Sequence, residues 1–352
     1  MALMKIGDLK IGEGHEVAFI AELGTCYEGD IEIAKHLLNE AKAAGAVLAK
    51  IECFRPEDVY RLKEMKDVNY CYTTAKGDIS ENYISHIDRK HMTLDKYKTI
   101  IQYSNSINLP CFATVYDIEM MKRIKEFGAV AVKISSSNVV HLPLIESAGR
   151  LQLPVFMDTN YSLLDHIARA VFTAKKAGVT DLILMHNPIG PRPTPPDKHN
   201  FLTMKSYHDI FNLPVGFTCH YRGEEMMYAA AALGAHAIEK PISRNPDIAD
   251  SEYVYSLDIK DLAGVIKRCR KVQESRGKKM LDPGDIPVFV KERMSPCAKR
   301  KIYKGEALSL ENVTFKRPCG SITPDYWSQM DGKKVKADIE ADQLIQWGHL
   351  DI

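Results

Sequence analysis

The stretch AVAVKISSSN, residues 129–138, decides the fold. Ala129–Ile134 is a short apolar run interrupted only by Lys133, and such a run without polar alternation reads as a strand buried on both faces. Seven more runs of this kind occur: Val17–Ala21, Val47–Ile51, Pro110–Thr114, Pro154–Asp158, Leu182–His186, Val215–Cys219 and Ala235–Glu239. They finish at or beside Glu22, Lys50, Thr114, Lys133, Asp158, His186, His220 and Glu239. A helical pattern follows each. Strands and helices in this alternation predict a (β/α)8 TIM barrel, an α/β fold that keeps its chemistry at the carboxyl ends of its strands.

Between the strands, Asp30 is placed to cap a helix carrying Ile33, Ala34, Leu37, Leu38 and Ala41 on one face. Thr93 is placed to cap another that runs through Tyr103. Further helices are predicted near 118–127, 163–177, 223–234 and 258–274. Residues 55–92 are polar and rich in tyrosine, and read as a loop inserted after the second strand, on the functional face of the barrel. Past residue 280 the pattern changes. LDPGDIPVFVKERM, 281–294, reads as a linker, and residues 286–352 read as short strands and turns. The expected division is a barrel domain over 1–280, then a linker and small, mostly β domain over 281–352.

A net charge of +1 among 352 residues gives no electrostatic footprint for nucleic acid. No apolar run reaches the 18 residues a membrane span needs, and no charged–apolar–small leader is visible, so a cytoplasmic protein is expected. The eight cysteines (26, 53, 71, 111, 219, 269, 297 and 319) are scattered singly, which argues against a disulfide framework.

Lys50 and Lys133 carry the first chemical signal. A lysine at the end of an apolar strand needs an anion or a depressed pKa. Three readings stand: structural ion pairs, a Schiff-base lysine, or a pair of cations facing a phosphate or carboxylate ligand. Ser135, Ser136 and Ser137 follow Lys133 and add hydroxyl and backbone donors suited to a phosphate.

Eight motifs taken in order carry a resemblance: FIAELGTCYEGD (19–30), AKIECFRPEDVY (49–60), ATVYD (113–117), VKISSSN (132–138), RPTPP (192–196), VGFTCH (215–220), AAALGAHAIEK (230–240) and VTFKRP (313–318). In order and spacing the chain resembles the sialic acid synthases over nearly its whole length. The resemblance implies a TIM barrel followed by an antifreeze-like (SAF) domain. It implies condensation of phosphoenolpyruvate with an aldose to a 3-deoxy-2-keto sugar acid, with release of phosphate. A divalent cofactor, Mn2+ or Mg2+, is implied, as is a domain-swapped homodimer whose small domain caps the partner's barrel.

Carried over by position, Lys50, Thr114, Lys133, Ser136 and Thr218 match residues that hold phosphoenolpyruvate. Glu22 matches an acidic residue that handles protons, His220 a metal ligand, and Arg317 an arginine that reaches the sugar from the partner. Departures cluster on the acceptor and metal side. Asn138 replaces an acidic residue, Asp158-Thr159-Asn160 replaces a Ser-Gly-Met motif, Arg192 replaces a tyrosine, and Glu252 takes the place of a sugar-binding aspartate, with Asp250 nearby. Pro241 replaces the second metal histidine. The related 3-deoxy-octulosonate and heptulosonate phosphate synthases suggest a rebuilt ligand set of Cys26, His220, Glu239 and Asp250. The gained Arg192 and the lost anion at Asn138 lead to the expectation of the same reaction on a more anionic acceptor. Two alternatives remain open: a non-catalytic sugar-binding relative, and a Schiff-base aldolase or lyase on the same barrel.

Overall fold

The computed structural model of the chain describes residues 2–277, 280 and 292–351. These fall into two compact units divided between Arg276 and Gly277. The linker expected over 281–294 lies outside the described residues through position 291.

The first unit opens with an antiparallel hairpin, β1 (Leu3–Ile6) and β2 (Leu9–Gly12). The barrel strands are β3 (Ala18–Gly24), β4 (Leu48–Glu52), β7 (Cys111–Val115), β8 (Val132–Ile134), β9 (Val155–Asp158), β10 (Leu182–His186), β11 (Val215–Thr218) and β12 (Ala237–Ser243). A second hairpin, β5 (Asn69–Thr74) and β6 (Gly77–Asn82), comes between β4 and β7. All eight barrel strands are parallel in the order β3-β4-β7-β8-β9-β10-β11-β12, and pairing of β12 with both β11 and β3 closes the cylinder. The expected barrel is borne out.

Closure splits the apolar residues into two layers. Inside the cylinder, Ile20, Phe112, Phe156 and Met185 pack together with Met4, Ile6 and Ile11 of the first hairpin. Their neighbours Ala18, Leu48 and Ala237 begin strands, so the hairpin plugs the amino-terminal end and leaves the carboxyl end for the site. Outside, helices such as Ile31–Ala43 bury one stripe (Ala34, Leu37, Leu38 and Ala41) against the strands. Asp30 caps that helix as expected, accepting from the Glu32 and Ile33 amides. Thr93 occupies the cap position of Leu94–Ser106, but its side chain makes no capping hydrogen bond.

The stretch 55–92 differs from the expected loop. It holds the β5–β6 hairpin and short helices at Pro56–Val59, Leu62–Met65 and Tyr83–Asp88. The alternation along Asn69–Thr74 puts Tyr70 and Tyr72 on one partly buried face and Cys71 and Thr73 in solvent. That period-2 pattern is the sequence signal for the hairpin.

After β12 a short strand, β13 (Leu257–Asp258), pairs with its carboxyl end. In the second unit β14 (Ser295–Ala298) and β15 (Val313–Lys316) pair antiparallel, with isolated bridges such as Ile302 to Ile339. Its core gathers Ile302, Val313, Ile322, Met330 and Ile339, with Trp327 and Trp347 packed on it.

Candidate active site

A cavity of about 640 Å3 occupies the carboxyl-terminal mouth of the barrel. Of the residues singled out in the sequence, Glu22, Lys50, Thr114, Lys133, Ser136, Asn138, Asp158, Arg192, Thr218, His220, Glu239 and Glu252 all line it. Strand register explains why. Glu22, Lys50, Thr114 and Lys133 lie near the carboxyl ends of adjacent strands β3, β4, β7 and β8, where Glu22 is paired with Lys50 and Thr114 with Lys133.

The floor is a lattice of alternating charge. Lys50 donates to Glu22, lies 3.3 Å from Glu52 and 3.8 Å from Glu239. Lys133 donates to Glu239 and lies 3.3 Å from Asp158. Burial pulls the Lys50 ammonium down, but Glu22, Glu52 and Glu239 outweigh it and hold it well above the usual lysine range. Burial likewise lowers Lys133 and the Glu239 carboxylate reverses that, with a net rise. Both lysines are therefore cations.

The carboxylates divide. Burial raises Glu22, yet Lys50 and Lys133 together leave it below the ordinary carboxylate range. Glu239, completely buried, is pushed by burial up to about 7, against the pull of Lys133 and with the added repulsion of Glu22. Glu22 is thus ionised while Glu239 carries a proton for part of the time near neutrality, the arrangement of an acid beside a base.

Several donors face the cavity unsatisfied. The Thr114 and Thr218 hydroxyls and the Asn138 amide nitrogen are buried without a partner among the described residues. The free oxygens of Glu22 and Glu239 are likewise unpaired. An unpaired buried donor is costly, so the cavity is built to receive acceptor oxygens. The serines after Lys133 form a tight turn, in which Ser135 and Ser137 hydroxyls lie 2.9 Å apart.

His220 has a fixed tautomer. Asn187 donates its amide to Asp158 at 2.9 Å, which leaves the Asn187 oxygen facing His220 Nδ1 at 3.2 Å. Nδ1 therefore holds the proton and Nε2 keeps its lone pair. Burial first, then Arg192 and Lys133, drives His220 well below the usual histidine range, so the ring is neutral. Asn187 was not singled out in the sequence, although its place just past the end of β10 was a signal. The Tyr60, Tyr83, Tyr116 and Tyr255 walls were missed as well.

The rebuilt metal set is corrected by this geometry. Cys26 and Asp250 do not line the cavity that holds His220 and Glu239. Asp250 is taken by Arg89 and Lys90, whose charges outweigh burial and hold it below its ordinary value. Burial and the nearby Glu252 carboxylate push the Cys26 thiol far up. Among the described residues no three His, Cys, Asp or Glu side chains gather into a metal-binding group. The four residues do not fit a divalent ion as one set.

His186 turns away from the cavity and donates from Nε2 to the His199 carbonyl at 2.7 Å, a structural role. Arg317 lies in the second unit, where it pairs with Glu292 at 2.8 Å.

The NeuB family profile matches residues 37–280. The chain belongs to the NeuB family. A SAF-domain profile matches residues 294–351. This NeuB-family chain is 31% identical to an uncharacterized protein of Methanocaldococcus jannaschii, with 99% of each chain covered. It is 28% identical to the N,N'-diacetyllegionaminic acid synthase of Campylobacter jejuni, over 93% of this chain and 98% of that one. In fold it is similar to a sialic acid synthetase from Leptospira borgpetersenii, with a TM-score of 0.71 and 23% identity over 82% of this chain and 96% of the other. The resemblance drawn from the eight motifs is therefore borne out at the level of the family.

Proposed function

We propose that this NeuB-family protein condenses phosphoenolpyruvate with an aldose, forming a 3-deoxy-2-keto sugar acid and releasing phosphate. The observation that carries the reading is the presence in one cavity of two buried lysine cations and the unsatisfied hydroxyl and amide donors of Thr114, Asn138 and Thr218. Phosphate and carboxylate oxygens would satisfy those donors and take over the lysines.

Lys50 and Lys133 hold the enol phosphate, with Thr114, Ser136 and Thr218 supplying further donors. The enol carbon attacks the aldehyde carbon, forming the new C–C bond. Glu239, protonated, gives its proton to the alkoxide that results. Water adds to the neighbouring carbon and loses its proton to ionised Glu22. The C–O bond to phosphate then breaks, the departing phosphate takes the proton of the remaining hydroxyl, and the ketone forms. His220 Nε2, with its proton fixed on the far nitrogen, accepts a hydrogen bond from an acceptor hydroxyl. A Schiff base on either lysine is disfavoured, because it needs a neutral amine and the surrounding carboxylates keep both ammonium groups charged.

Arg317 and its small domain would serve a partner's cavity in a domain-swapped homodimer. No described helix is long and apolar enough to cross a membrane, and we place the reaction in the cytoplasm. The test is phosphate release on mixing the protein with phosphoenolpyruvate, divalent metals and a panel of aldoses. Release that requires both substrates supports the reading. Silence across the panel from folded protein counts against it.

A further inference from the structure

Six carboxylates and three cations line the cavity: Glu22, Glu52, Asp58, Asp158, Glu239 and Glu252 against Lys50, Lys133 and Arg192. Eight of these nine have partners. The lysines serve Glu22, Glu52, Glu239 and Asp158. Asp58 pairs with Arg55, and Glu252 accepts from the Thr25 amide and hydroxyl at 2.7 and 2.8 Å. Arg192 alone makes no hydrogen bond or ion pair with a described residue. The residue as a whole is exposed, and its side chain lines the cavity. It stands where the main cavity meets an aromatic side chamber of about 130 Å3, lining both. The phenols of Tyr70, Tyr161 and Tyr255 are its neighbours.

We infer that Arg192 is a specificity-determining residue that binds an anionic group, phosphate or carboxylate, carried by the acceptor sugar. An acceptor that fills the cavity strips water from the guanidinium. A neutral sugar would displace part of that water and leave the cation unpaired, whereas an anion offers two charge-assisted hydrogen bonds in a planar fork. The nearby carboxylates do not substitute for it. Asp158 is already engaged by the Asn160 amide, Asn187 and Lys133, and Glu252 by Thr25. The tyrosine hydroxyls add donors for the same anion. This rests on reading the cavity as the condensing site, and names the class of its second substrate.

The test uses acceptor mimics that lack an aldehyde and so cannot react: a hexitol 6-phosphate, a hexonate and a neutral hexitol. Each is titrated calorimetrically into the full-length protein, with and without saturating phosphoenolpyruvate. At least one anionic mimic binds roughly tenfold or more tightly than the neutral hexitol. The choice between hexitol phosphate and hexonate identifies the anion. Arg192→Gln removes the preference while phosphoenolpyruvate affinity stays within about twofold, and Arg192→Lys keeps part of it. Equal binding of neutral and anionic mimics, or a preference that survives Arg192→Gln, overturns the inference. So does a large loss of phosphoenolpyruvate affinity in Arg192→Gln, which would assign the arginine to the other substrate. A protein that binds no phosphoenolpyruvate but still selects an anionic mimic through Arg192 rejects the condensing function and upholds the subsite.

Discussion

Lys133 on β8 and Glu239 on β12 stand on opposite walls of the barrel and are hydrogen bonded through its interior. Three strands lie between them either way round the closed sheet. The bond joins the proposed phosphate site to the proposed acid, so a ligand that takes Lys133 must compete with Glu239, and protonation of Glu239 releases the lysine.

Phosphoenolpyruvate binding should therefore be linked to proton uptake. Glu239 titrates at about 7. Above that pH its carboxylate holds Lys133 and repels the ligand; below it the neutral acid does neither. Compared with Glu239→Gln, which cancels the ligand's own titration, wild-type affinity should fall roughly fivefold between pH 7 and pH 8. Calorimetry in buffers of different ionisation enthalpy should show protons taken up on binding near pH 7. Identical pH profiles for the two proteins would refute the linkage.

The same group sets a stability profile. Glu239 rises from an ordinary value of 4.5 to about 7 on folding, so the folded state binds its proton more tightly. The stabilisation is fully present below pH 4.5 and is lost as pH rises through 7, amounting to about 3 kcal/mol at most. Glu239→Gln should flatten that part of the curve, as read by urea unfolding at pH 5, 6, 7 and 8.

Asn187 fixes the His220 tautomer through the chain Asp158–Asn187–His220. Asn187→Ala should lower kcat by tenfold or more while leaving phosphoenolpyruvate affinity within about twofold. Nitrogen chemical shifts of the imidazole should change from a pure Nδ1–H form to a mixture. A single unchanged tautomer in the variant would remove Asn187 from this role.

Inside the cylinder, Phe112 and Phe156 stack with centroids 4.3 Å apart and an interplanar angle of 14°, both fully buried. Either phenylalanine changed to alanine should cost about 3–5 kcal/mol. The double variant should cost less than the sum, by about 0.5–1.5 kcal/mol. Chemical denaturation of the four proteins measures this. Strict additivity would mean the stack contributes nothing beyond burial of each ring.

The barrel was legible because burial on both faces writes each strand as a compact apolar run, and its chemistry-bearing ends stand out against that background. Lys50, Lys133 and Glu239 could be read as site residues for that reason. The metal set was not legible. Whether Asp250 is free depends on Arg89 and Lys90, more than 150 residues earlier, and no local pattern reveals which partner a carboxylate takes. The β5–β6 hairpin was masked by polar composition, since only one of its faces packs. Arg192 was visible as a change of charge, but its lack of a partner is a property of the assembled cavity alone.

The grip of two lysines on an enol phosphate is tested most directly by titrating phosphoenolpyruvate into wild-type protein and into Lys50→Met and Lys133→Met, with folding checked by circular dichroism. Saturable binding by the wild type, weakened about 100-fold or more in each variant, is the expected result. Folded variants that bind phosphoenolpyruvate as tightly as the wild type, or a wild type that does not bind it, would contradict the proposed chemistry at its root.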